Sequence, residues 1–434
     1  MNDVESKVRD VLREKLDVIE RPLAGADLTG RIRKRRAVNG ALWVTGVCVA
    51  VLGVVGVWRA LDPVGMRRDT GPVDTPGYSA AEIEAALSSI EPGWSRLPDS
   101  PFAMYGAHGV WTGQSLVVLG GQTYDGFPSR EIAAYDPVDR SWERLPDAPV
   151  APASTPVWTR DEILVWGPDG GAALDPTSMS WRRLPEAPAG YGNHSPSATV
   201  WTGAEMIVWG ETERTSDVTN GAAYDPVANS WRTIASAPFP LNSAEAVWTD
   251  LSVWDDKEMF VFGSHLDGRN IADSRYARAL SYDPDEDRWR EVSLPAAGAS
   301  SDSNVSSSLL SAQASSASWT GTHVLLWDYD FSAIMYDPFE KMWVSIDRVP
   351  FEFSECYPSS AAGGTKVLAW FCGEAALFDS EGFTWTKLDP PDGLEARPTA
   401  IGDTFFLPGA SLTPGASLDE QGVPLFYAYK PPTT

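Results

Sequence analysis

Four histidines, His108, His194, His265 and His323, are the first residues to weigh for metal or acid–base chemistry, and no two share a short metal-ligand spacing. The paired carboxylates Asp255-Asp256 and Asp285-Glu286-Asp287 stand among turn residues, where solvation alone accounts for acid. No Gly-x-Ser-x-Gly, phosphate loop or His-Glu-x-x-His occurs. The catalytic residues are therefore unknown at this level, and neither a metal nor a cofactor is expected. His194, Arg214, His265, Arg269 and Arg275 remain, together with Trp248. Basic groups gathered in a chain of net charge −25 suit an anionic or polar ligand, and these six are the candidate ligand-binding residues.

The elements that must position them are announced by tryptophan. Trp94, Trp142, Trp181, Trp231, Trp289, Trp343 and Trp385 recur at intervals of 39 to 58 residues. Five follow an aromatic or aliphatic residue and Asp-Pro, as in Tyr135-Asp136-Pro137 and Tyr224-Asp225-Pro226; Phe378-Asp379-Ser380 is a worn sixth copy. Upstream of each Asp-Pro lies a hairpin such as Val110-Trp111-Thr112-Gly113, whose second strand runs nine residues from the Trp to a Gly. One unit then holds four strands, a to d, with Asp-Pro at the c–d turn, and the spacing is that of propeller blades. Most of the 19 tryptophans belong to this repeat and are packing residues; Trp248 stands outside it.

Six units supply all four strands between about residues 103 and 388, and the C-terminus supplies only a, b and c of a seventh. Trp94-Ser95-Arg96-Leu97-Pro98 has no unit of its own and matches Trp142-Glu143-Arg144-Leu145-Pro146. The expected fold is all-β, a seven-bladed β-propeller (94–434) whose N-terminal strand closes the last blade. The b–c segments 122–130, 211–220 and 264–278 and the d–a segments 187–196, 237–250 and 295–316 are long, and the candidate ligand residues fall on or beside them around blades 3 and 4.

The Tyr-Asp-Pro…Trp motif after a glycine-ended strand resembles the kelch or galactose-oxidase-type propeller, over about 340 residues. Only Gly120-Gly121 keeps the kelch double glycine. The resemblance implies, for galactose-oxidase-like members, a copper held by two His and two Tyr, which the scattered histidines here do not match. The basic leader and the apolar span that follows also look like those of actinobacterial surface proteins.

Residues 37–58 carry no charge, are long enough to cross a bilayer as a single transmembrane helix, and have five basic residues just before them. Residues 1–36 are then a cytoplasmic tail with an amphipathic helix over 3–20, and 59–93 are a tether with a short helix near 80–90. This topology puts the propeller outside the cell and its membrane contact at 37–58. Cys356 and Cys372 flank a hairpin whose turn is Gly363-Gly364, and in an oxidising compartment they pair as a disulfide. The acidic main domain argues against nucleic acid. The functional expectation is a membrane-anchored, extracytoplasmic module binding or sensing a cell-envelope glycan or protein; the alternative is a carbohydrate-active enzyme of mutarotase or lyase type.

Overall fold

The b strands explain why the chain forms blades. Leu116–Leu119, Ile163–Gly167 and Met206–Trp209 are continuous apolar runs, and every residue in them is buried. A strand covered on both faces has no reason to alternate. The d strands, such as Ser180–Arg183, are partly exposed and carry the polar edge.

The structure, a computed structural model, describes residues 77–122, 127–188, 198–210, 219–241, 251–266, 275–294, 314–328, 331–351, 359–371, 373–411 and 422–432. Six four-stranded antiparallel sheets follow in chain order, each sequential from a to d, and a further sheet joins the C-terminal strands to Gly93–Arg96. Blade 1 is typical: His108–Trp111, Leu116–Leu119, Ile132–Asp136 and Ser141–Leu145. Blade 7 takes its a strand in two pieces, Leu394–Ala396 and Thr399–Ile401, its b strand from Thr404–Ser411 and its c strand from Val423–Lys430. The d strand comes from the other end of the chain, in the register Gly93↔Lys430, Trp94↔Tyr429, Ser95↔Ala428 and Arg96↔Tyr427. The seven-bladed ring closed by an N-terminal strand is therefore the fold. Each a strand adjoins the next around the whole centre, and seven apolar clusters lie one to each blade interface.

The repeated residues have specific tasks. In six blades an aromatic of the c strand pairs across to the d-strand Trp, with ring centroids at 5.3 Å for Tyr135–Trp142 and 4.8 Å for Tyr429–Trp94, and in blade 2 Leu174 takes that place. Six d-strand indoles donate to a carbonyl of the preceding blade: Trp142 to Pro98, Trp181 to Pro146, Trp231 to Pro185, Trp289 to Ala235, Trp343 to Ser293 and Trp385 to Asp347. Each Trp thus fastens its own blade to its neighbour. The Asp of each c–d turn accepts two backbone N–H groups, as Asp225 does from Val227 (2.8 Å) and Ala228 (2.9 Å).

A helix, Ala80–Ser88, precedes the closing strand, started by a capping box in which Ser79 N donates to Glu82 Oε2 at 2.8 Å. Leu87 and Ile90 pack into the cluster between blades 7 and 1, and Lys430 Nζ donates to the Ser88 carbonyl at 3.2 Å.

Two expectations are corrected here. Among the described residues no helix is long and apolar enough to cross a membrane, and residues 37–58 lie outside them. The single transmembrane helix, the membrane as a partner and the single-pass, extracytoplasmic location rested on the composition of that segment and are withdrawn. The blade 6 hairpin pairs Gly363 with Lys366, so its centre falls between Gly364 and Thr365 rather than on Gly364. Cys356 and Cys372 themselves lie outside the described residues.

Candidate functional site

An antiparallel blade sends its a–b and c–d connections to one end and its b–c and d–a connections to the other. The first end is the more regular, and only the a–b connections of blades 6 and 7, 364–365 and 402–403, are shorter than the rest. The a–b connections 112–115, 159–162, 202–205, 255–258 and 320–323 are equal in length, as are the six c–d turns from 137–140 to 380–383. Their polar groups are used internally. Thr202 Oγ1 accepts from Ala204 N and Glu205 N and donates to the Glu205 carbonyl, and Thr159 and Thr320 make similar turns.

Sequence reasoning missed an ionic set on this face. Arg182 Nη2 lies 2.5 Å from Glu162 Oε2, Arg232 Nη2 lies 2.6 Å from Glu205 Oε2, and Arg290 Nη1 lies 3.1 Å from Glu258 Oε1. Arg182 also donates to Tyr224 Oη and Asn229 Oδ1 of the next blade, both at 3.0 Å. The signal was present as Glu in the fourth a–b position and Arg directly after the d-strand Trp. These arginines are held by the scaffold.

Two of the carboxylate groups set aside above do more than solvate turns. Burial pushes the Asp255 carboxyl up, although it accepts from Lys257 N and Glu258 N. Burial also works to raise Asp287, but the Tyr282 hydroxyl and Ala235 N–H, each at 2.7 Å, outweigh it and leave that carboxyl low. Asp287 therefore ties blade 4 to blade 3.

The opposite end is variable. Its b–c connections run from Leu119 to Ile132, Gly167 to Gly170, Trp209 to Gly221, Leu266 to Arg275, Asp328 to Ala333, Phe371 to Glu374 and Ser411 to Val423. No packing rule requires such a spread. In blade 4 the b and c strands extend beyond the three a-strand rungs and stay paired to the end, with His265 opposite Tyr276 and Arg275 opposite Leu266. His265 and Arg275 thus occupy adjacent rungs of the ladder. His194, Arg214, Trp248 and Arg269 lie outside the described residues. Of the other histidines, half-buried His108 begins the a strand of blade 1 at this end, while His323 sits at the more regular end, its Nδ1 2.9 Å from Thr322 Oγ1. The two are not brought together. Among the described residues no three His, Cys, Asp or Glu are grouped to hold a metal ion.

Two charged residues on the a strand of blade 7 were also missed. Leu394, Ala396 and Ala400 pack toward blade 6 and Ile401 toward blade 1. Alternation then puts Glu395 on the blade 1 side. Arg397, at the break in the strand, is only 8% exposed. Burial pushes the Glu395 carboxyl up. A carboxyl raised on folding penalises the folded state above its folded pKa, and the penalty vanishes below the unfolded value. Glu395→Gln is thus expected to raise the melting temperature at pH 7 and to leave it unchanged near pH 3, in parallel thermal melts.

No protein-family model and no curated protein matches this chain. The kelch or galactose-oxidase-type resemblance, and with it the actinobacterial surface-protein likeness, is corrected to the propeller fold alone. The motif that carried it consists of turn and packing residues that the blade geometry itself demands. The envelope glycan or protein partner and the carbohydrate-active alternative, which leaned on that resemblance and on the anchor, lose their support.

Proposed function

We propose that the protein is a binding module whose ring holds the b–c and d–a connections as a recognition surface for an anionic or polar ligand. The observation that supports this is the contrast between the two ends of the ring: one made of turns of two or four residues and internally hydrogen-bonded, the other with b–c connections that range from two to twelve residues. On this reading His194, Arg214, His265, Arg269, Arg275 and Trp248 form the ligand-binding rim around blades 3 and 4. The extended blade 4 hairpin supports their role, because a paired ladder fixes the backbone under His265 and Arg275 before any ligand arrives.

The test replaces residues 264–277 by the short connection Pro168-Asp169 of blade 2. Calorimetric titration of the full chain with inorganic phosphate, citrate and a hexose 6-phosphate is expected to show saturable binding of at least one. The shortened variant should lose it tenfold or more while melting within a few degrees of the parent. No saturable binding by any of the three, or binding that survives the replacement, contradicts the proposal.

A further inference from the structure

A groove of about 270 Å³ lies where the helix Ala80–Ser88 ends against the seam between blades 7 and 1. Its apolar lining includes Ile90 and Leu97, and its polar lining includes Arg96, Arg140, the Tyr135 ring and Glu91. Two guanidinium groups and one carboxylate stand in this lining. The two arginines are not equivalent. Arg96 is engaged, with Nη2 at 2.5 Å from Asp99 Oδ1 and Nη1 donating to Tyr427 Oη at 3.0 Å. The Arg140 guanidinium lies near the hydroxyl of buried Tyr135, and among the described residues no carboxylate is paired with it. Its backbone is left-handed (φ 53°), a geometry shared by Met179, Asn229, Asp287, Lys341 and Phe383 at the same turn position. The fold therefore needs that conformation at residue 140, and blade 2 shows that it does not need arginine there.

We propose that this groove binds a small organic monocarboxylate with an apolar body. The carboxylate accepts a forked pair of hydrogen bonds from Arg140, and the body lies against Ile90 and Leu97. The groove is assembled from the helix, the closing strand and the c–d turn of blade 1. A ligand there bridges the closing strand of blade 7 and blade 1 and stabilises the closed ring by mass action. This site is separate from the blade 3–4 rim.

Phenylacetate is the probe, used with the full chain, with saturation-transfer NMR for binding and thermal melts for linkage. Saturable binding and a rise in melting temperature are expected. Arg140→Met, which installs the residue blade 2 already carries at this position, should weaken binding at least tenfold without lowering the melting temperature of the free protein. Ala86→Phe, which fills the groove and leaves Arg140 in place, should weaken it as much. Lys341→Met, the same change at the same turn position of blade 5, should have no effect. Absence of saturable binding, equal binding by Arg140→Met, or equal weakening by Lys341→Met overturns the proposal.

Discussion

Deletion of residues 1–97 is expected to leave a chain that no longer folds as a stable monomer. The deletion removes the four rungs between Gly93–Arg96 and Tyr427–Lys430, the Trp94 ring against Tyr429 and Trp370, and buried Leu97. It also removes Leu87 and Ile90 from the blade 7–1 cluster and the helix whose C-terminal carbonyls Lys430 meets. Truncating one large buried side chain typically costs about 3–5 kcal/mol, and total stability is only about 5–15 kcal/mol. The stripped c strand, Val423–Lys430, becomes an open edge that invites pairing with another chain. Size-exclusion chromatography and circular dichroism should therefore show aggregate or strand-exchanged oligomer. Re-attaching residues 93–97 behind Tyr429 through a turn copied from Asp136–Arg140 should restore the monomer, because the ring needs a strand in that place and not at that end of the chain. A folded monomer from the simple deletion would show that the seam contributes little.

Gly167→Ala is expected to be strongly destabilising, at about 3 kcal/mol measured by urea unfolding. An ideal Cβ at residue 167 would stand 2.1 Å from the Ala151 carbonyl oxygen, a backbone atom that cannot rotate away. Ala151 enters from the preceding d–a segment, and Ala153 N donates to the Trp166 carbonyl at 2.9 Å, so the two strands of chain are locked together there. Gly203→Ala provides the comparison. Gly203 has φ 91° with nothing near its would-be Cβ, so the added methyl meets only the intrinsic cost of left-handed backbone, about 1 kcal/mol. Equal effects at the two sites would mean that the close approach at Gly167 is not what selects glycine.

That glycine shows why the fold could be read from the sequence and the family could not. Glycine at the end of a b strand, Asp at a c–d turn and Trp opposite the c-strand aromatic are each forced by a close approach, two backbone donors or a paired ring. Any chain that builds such a blade meets the same demands, so these residues report architecture and carry no information about kinship. The closing strand was legible for the same reason: Trp94 to Pro98 repeats the sequence of a d strand that lacked a blade. The Trp–carbonyl bonds between blades were not, because the acceptors are backbone atoms of Pro98, Ala235, Ser293 and others with no shared side chain. Arg140 was hidden too, since its turn position holds six different residue types and only the packing of the helix makes it part of a groove. Glu395 gave no signal because burial, not sequence spacing, raises its carboxyl.

Hydrogen exchange at the seam tests the closed ring most directly. The Arg96–Tyr427 pairing and the Leu97 N–H bond to the Phe426 carbonyl at 2.9 Å join the two chain ends, as Tyr135↔Trp142 joins neighbouring strands within blade 1. In the intact chain, the amides of Ser95 and Leu97 and of residues 427–429 should exchange as slowly as those of 133–135, because opening the seam requires breaking the ring. Exchange at the seam within seconds, while blade 1 stays protected for hours, would contradict the account and leave an open array of six blades.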